Sequence, residues 1–284
     1  MDLSDLALVE AACKRLRLSE WTKLRRAVEV TQYTSFSTAT LKDLKRADGL
    51  QLNLKNIENN RLKQPSMFLP DEFETADIVP GDLLCDYLHR LDDIWDFGTE
   101  MACRSIIDAI IAEAIATSGV EFRTCCEVNN DWSGVGFGYK GNVDYMIGSG
   151  GDSFLLVVVA KKEWPDSAVA QVLAEAGCLL KNRQFDGKST PVFAVLTNAS
   201  FFQFFAIDTS SVVFTSGAPI SLCIAKDRTY KSSTSLVQIL RWLSWCIKSM
   251  ADASPPSSQS DDAAARGQSV LRAVAELSKS FQDV

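Results

Sequence analysis

The spacing of apolar positions changes from helical to strand-like near Gly119. Within residues 4–30, Leu6, Val9, Ala12, Cys13 and Leu16, then Trp21, Leu24 and Val28, recur at three- and four-residue intervals, predicting one or two amphipathic helices. The stretch from Thr31 to Asp82 is polar and interrupted by Pro65, Pro70 and Pro80, so loops and short elements are expected there. A short helix should run from Gly81 to Leu91. A longer one should run from about Gly98 to Ser118, capped by Thr99 and closed by Gly119. Beyond it, short β-branched apolar runs separated by Gly, Asn, Asp and Ser predict strands at about 121–128, 142–147, 154–162, 191–197, 202–207 and 212–215. The run FLLVVVAKK is apolar on both parities, so it should be a central strand covered on both faces. After it, PDSAVAQVLAEAGCLLKNRQ aligns Val169, Val172, Leu173, Ala176, Leu179 and Leu180 on one stripe, a helix long enough to cross over between parallel strands.

Past the strands, Leu236, Ile239, Leu240, Leu243, Cys246, Ile247 and Met250 form a strongly amphipathic pattern expected to pack on the sheet. DASPPSSQSDD has linker composition, and Val270, Val274, Leu277 and Phe281 then repeat at helical spacing in a tail that could dock in cis or on a protein partner. The expected organisation is a helical and irregular region over 1–90, an α/β core with its packing helix over 91–251, a linker over 252–262 and an amphipathic helix over 263–284.

Composition narrows the chemistry. The 284 residues are 46% apolar with a formal charge of −7, enough core material to exclude wholesale disorder. No apolar run approaches the roughly 18 residues that span a bilayer, and the first residues lack a signal-peptide core, so an intracellular protein, cytoplasmic or nuclear, is expected. Charge is uneven: residues 1–65 carry +4 and residues 66–118 carry −10. The acidic stretch opposes tight nonspecific binding to nucleic acid. Eight cysteines occur without a CxxC pair, and His89 is the single histidine, which argues against a disulfide framework, a zinc site or a Cys–His or Ser–His catalytic pair. GVGFGYKGN lacks the GxxxxGK[ST] spacing of a phosphate loop and is expected to connect a hairpin; FFQFFAID is expected to be a core or edge strand. No small-molecule cofactor is expected.

Three features of the strand region belong together: Asp144 in GNVDYMIG, Lys161 and Lys162 closing FLLVVVAKK, and Gln171 in AVAQ. With these the chain resembles the PD-(D/E)xK nuclease superfamily, especially the restriction-endonuclease-like domains of fungal proteins and Crinkler-type effectors, over about residues 98–207. The resemblance implies a restriction-endonuclease-like mixed sheet flanked by helices. It further implies Glu100 as the helix glutamate, Asp144 as the Mg²⁺-binding aspartate, Lys161 as the catalytic lysine and Gln171 as the glutamine of the following helix. Lys161 and Lys162 would contact DNA. Mg²⁺-dependent cleavage of a phosphodiester needs carboxylates to hold the ion and a cation to stabilise developing charge, and these residue types can supply both.

The chain departs from the pattern at one position: the acid expected two residues before Lys161 is Val159, which cannot ligate a metal. The primary expectation is therefore a catalytically degenerate pseudoenzyme retained for binding nucleic acid or protein. The alternative is an active Mg²⁺-dependent DNA endonuclease with a migrated acid, for which Glu163, Glu127 and Glu100 are the candidates. Strand alternation would put Glu163 on the face of Val159 and Lys161 if the strand reached that far.

Overall fold

The strand-like runs assemble into one sheet. The computed structural model describes residues 33–47, 49–54, 57–58, 61–62, 64–94, 99–134, 137–149, 154–161, 163, 166–222 and 229–253. The helices expected within 4–30 and 263–284, the linker from residue 254 onward, and Lys162 lie outside the described residues.

Chain order begins with β1 (Tyr33–Ser35), a 3-10 turn at Phe36–Thr38, α1 (Leu41–Leu44), the strands β2 (Ile57–Glu58) and β3 (Arg61–Leu62), and α2 (Asp71–Glu74). Next come α3 (Asp82–Ile94), α4 (Glu100–Ser118), β4 (Arg123–Ser133), β5 (Gly138–Gly148), β6 (Phe154–Ala160) and α5 (Asp166–Phe185). The described chain closes with β7 (Val192–Thr197), β8 (Phe201–Ile207), β9 (Val213–Thr215), β10 (Ile220–Ser221), a 3-10 turn at Tyr230–Ser232 and α6 (Thr234–Ala253). The fold is α/β: a mixed sheet of eight strands, with the path β1-β5-β6-β7-β8-β10 and with β4 on β5 and β9 on β8, flanked by helices.

Local chemistry sets the elements around the site. Thr99 caps α4 by accepting a hydrogen bond from the Ala102 amide at 3.2 Å, and Gly119 ends it in the left-handed conformation at φ 70°, where a side chain is disfavoured. Leu84, Cys85, Leu88 and Leu91 recur at helical spacing and bury one face of α3. The run from Leu156 to Ala160 is fully buried, as expected for a central strand; it pairs antiparallel with β5 on one side and parallel with β7 on the other, and α5 makes the crossover.

Several boundaries differ from the sequence reading. β4 and β5 are eleven residues each, because polar positions such as Asp131 and Lys140 pair across an exposed ladder that apolar patterning does not mark. Part of GVGFGYKGN therefore lies inside β5 rather than in the turn. β6 ends at Ala160 and does not reach Glu163; one further backbone bond, Lys161 N–H to the Thr197 carbonyl at 2.9 Å, holds the chain against β7. Residues 33–54 pack into the same core. Phe36 stacks on Tyr139, and Leu50 and Leu52 lie against Gly177 of α5, where an added Cβ would meet Leu50 at 3.0 Å. This cover explains why α5 is buried almost all round instead of along one stripe. Among the described residues, no helix is long and apolar enough to cross a membrane.

Candidate active site

The site forms where β5 changes partners. One edge of β5 pairs with β4 along nearly its whole length. The other edge pairs with β6 from Tyr145 to Gly148 and with β1 from Gly138 to Lys140. Residues 141–144 therefore stand in a fork, without a ladder partner on that edge among the described strands. Asp144 sits at the point where β5 and β6 separate, and its Oδ2 accepts the Ala160 amide at 2.8 Å, closing the ladder with a side chain.

Register places a row of side chains across this fork. The pairs Cys126↔Tyr145 and Val128↔Val143 bracket Glu127 opposite Asp144, and one step beyond Tyr145↔Val158 lies Val159 opposite Asp144 from the other side. Directly opposed residues of an antiparallel pair lie within contact range on one face. Val159 is completely buried in the core. Glu127 has φ 52°, uncommon for a non-glycine residue, and this local twist interrupts the regular pairing of β4 at the site.

Arg104, on α4, binds three carboxylates. Its guanidinium donates to Asp144 Oδ1 at 2.5 Å, to Glu127 Oε1 at 2.5 Å and to Glu100 Oε1 at 3.3 Å, the last an i,i+4 pair. The guanidinium also lies 5.9 Å from the centre of the Tyr145 ring. Burial opposes its charge, but the hydrogen bond to Glu127 and the charge of Asp144 hold it protonated above the ordinary arginine value. Burial likewise raises the Asp144 carboxyl; the Ala160 amide, Arg104 and Lys161 oppose that rise, and Glu100 adds to it. Burial and the hydrogen bond to Asp108 push the Tyr145 phenol up, so it stays neutral.

The third contributor is α5. Gln171 Nε2 donates to Glu175 Oε1 at 2.9 Å, and Asn130 of β4 donates to the Glu175 backbone carbonyl at 3.1 Å, fixing this turn of the helix. Glu175 is fully buried, and its Oε2 has no hydrogen-bond partner among the described residues. Burial pushes its carboxyl up to about 8; the Gln171 hydrogen bond and Lys161 oppose this, while Asp144 and Glu127 reinforce it.

Asp144, Glu100 and Glu127 are thus joined through Arg104, Lys161 acts on Asp144 and Glu175, and Gln171 meets the cluster through Glu175. Glu163 is exposed beyond the end of β6 and makes no hydrogen bond or ion pair among the described residues. Two members escaped the sequence reading. Arg104 carried a signal in its i,i+4 spacing from Glu100. Glu175 carried a stronger one, as the single charge in the otherwise apolar helical run from Ala168 to Leu180, four residues after Gln171.

The carboxylates gathered here are hard oxygen donors of the type Mg²⁺ prefers, but among the described residues no group of three or more Asp, Glu, His or Cys stands where it could hold a metal ion, and both oxygens of Asp144 are engaged, Oδ1 by Arg104 and Oδ2 by the Ala160 amide. No protein-family model matches the chain, and neither does any curated protein.

Proposed function

We propose that the β5/β6 fork is the active site of a restriction-endonuclease-like, Mg²⁺-dependent phosphodiesterase acting on DNA, with the acid of the strand position supplied from elsewhere. The observation that carries this reading is the placement of Asp144 at the fork, next to the strand end that bears Lys161, with the charge of Lys161 acting on the Asp144 carboxyl. Asp144 would be one holder of the ion. A bound Mg²⁺ supplies Lewis-acid polarisation of a phosphoryl oxygen and a more acidic water.

The protein's own groups do the rest. Lys161 stabilises negative charge on a non-bridging phosphate oxygen, and Gln171 orients Glu175. The reaction is hydrolysis: the oxygen of water bonds to phosphorus as the phosphorus–ester oxygen bond breaks, and a proton from water ends on the leaving oxygen, giving a phosphate monoester and a hydroxyl. The test is cleavage of plasmid and short duplex DNA by the full chain with and without Mg²⁺, alongside Asp144→Ala and Lys161→Ala. Metal-dependent cleavage lost in both variants supports the reading; no cleavage under any metal condition refutes it.

Arg104 favours a second reading, a degenerate site kept for binding. Its guanidinium already neutralises Asp144 Oδ1 and Glu127, so an internal cation would stand in for the ion, and Val159 fills the lost acid position with core packing. A melting temperature indifferent to Mg²⁺, together with salt-sensitive DNA binding, would select it, because an ion that binds the native state must stabilise it.

A further inference from the structure

We infer that the cavity between the last turns of α5, the end of β4 and the 49–51 segment is a binding site for a nucleotide, separate from the fork. The cavity encloses about 480 Å³, within the range that holds small organic ligands, and among the described residues it is lined by Gly49, Gln51, Trp132, Lys181, Gln184 and Phe185. Trp132 stands five residues along β4 from Glu127, and Lys181 ten residues along α5 from Gln171, so the two places lie about 15 Å apart. The inference therefore does not rest on metal-dependent cleavage.

The walls are fixed by bonds between elements. Asn182 donates to the Asp131 carbonyl at 2.7 Å, which ties α5 to the end of β4. Gln184 Nε2 donates to the Thr209 carbonyl at 2.8 Å and Lys181 Nζ to Ser211 Oγ at 3.0 Å, holding the turn between β8 and β9 against the same stretch of helix. Gln51 takes φ 56°, a conformation unfavourable for a residue with a side chain, and its amide donates to the Ala47 carbonyl.

Three chemical features define the occupant. The first is an anion. Lys181 is half-buried and makes no ion pair among the described residues, where its hydrogen-bond partner is a neutral hydroxyl. Burial lowers its pKa and no carboxylate offsets that, so a ligand phosphate would supply the missing negative charge. The second is an N–H edge. Gln51 and Gln184 each commit the amide nitrogen to a backbone carbonyl, leaving their Oε1 atoms as acceptors without a partner among the described residues. The third is a flat ring, for which Trp132 and Phe185 place aromatic groups in the wall. A phosphate, an N–H edge and a flat ring occur together in a nucleotide, either free or at the end of a strand.

The test is calorimetric titration of the full chain, in chelator so that no metal contributes. The probes are AMP, GMP, CMP and UMP, the matching nucleosides, ribose 5-phosphate, and a 5′-phosphorylated tetranucleotide. At least one mononucleotide should bind with a Kd below about 1 mM, and its nucleoside and ribose 5-phosphate should each bind at least about tenfold more weakly. A tetranucleotide that binds more tightly than the mononucleotide identifies a strand end as the source, and one that binds more weakly identifies the free compound. Lys181→Met should weaken the mononucleotide by about tenfold or more while leaving the nucleoside unchanged, a split that a merely structural role would not produce. Gln51→Gly, which relieves the positive φ, should weaken the mononucleotide about fivefold without lowering the melting temperature, and decides the matter should Lys181→Met fail to fold. Absence of binding by all four mononucleotides, or a folded Lys181→Met or Gln51→Gly variant that binds as the parent does, overturns the inference and leaves the reading of the fork untouched.

Discussion

Replacing Glu175 by Gln should flatten the pH dependence of stability, and the size of the effect follows from its burial. The carboxyl sits at about 8 in the folded protein against 4.5 for the free group. Below pH 4.5 both folded and unfolded chains hold the proton, and Glu175 contributes nothing to the pH dependence. Between the two values the unfolded chain releases its proton and the folded chain keeps it, so stability falls as pH rises, by about 1.4 kcal/mol per unit. The loss is complete above about pH 8 and amounts to roughly 5 kcal/mol. Four groups set this value besides burial: Asp144 and Glu127 raise it, and Gln171 and Lys161 lower it. Gln cannot ionise, so Glu175→Gln removes the slope. Its amide also needs an acceptor where the carboxyl had none, which adds an offset of about 1–3 kcal/mol independent of pH. The assay is urea unfolding of the full chain in chelator from pH 5 to pH 9, compared at each pH with the parent. Parallel profiles, with a constant difference between the two proteins, would refute the assignment of an elevated carboxyl to this position.

Arg104→Met should destabilise the protein by about 3 kcal/mol in chelator, since it strands the carboxylate of Asp144 beside that of Glu127; Mg²⁺ should recover more of the lost melting temperature than it adds to the parent. Val159→Glu should lower stability in chelator and recover it on adding Mg²⁺, and Asp144→Ala should abolish that recovery, as thermal melts will show. Binding to duplex DNA should be weak and steeply salt-dependent, with Lys161→Ala reducing the slope of log K against log salt by about one; unchanged binding in high salt would contradict a phosphate contact there. Gly177→Leu should cost about 1–3 kcal/mol by overpacking against Leu50 and Leu52, a check by denaturant unfolding that residues 33–54 cover α5.

Much of the architecture was legible from local patterning. The apolar run of β6 announced a buried central strand, the stripe from Val169 to Leu180 announced a crossover helix, and Thr99 and Gly119 marked both ends of α4, because each signal depends on residues only a few positions apart. The α/β class followed from that order. Asp144, Lys161 and Gln171 could likewise be singled out as polar exceptions beside apolar segments, and Glu100 came from the family resemblance alone. Their relations could not. That β5 switches from β6 to β1 at Asp144, that Glu127 and Val159 flank it in one row, and that Arg104 closes on three carboxylates from residues 100, 127 and 144 are consequences of strand register and helix placement. Burial is the clearest case. The lone charge in the run from Ala168 to Leu180 marks Glu175 as unusual, but only the packing of α5 in the fold, with Asn130 of β4 on the Glu175 carbonyl, makes it a buried carboxyl whose protonation the fold controls.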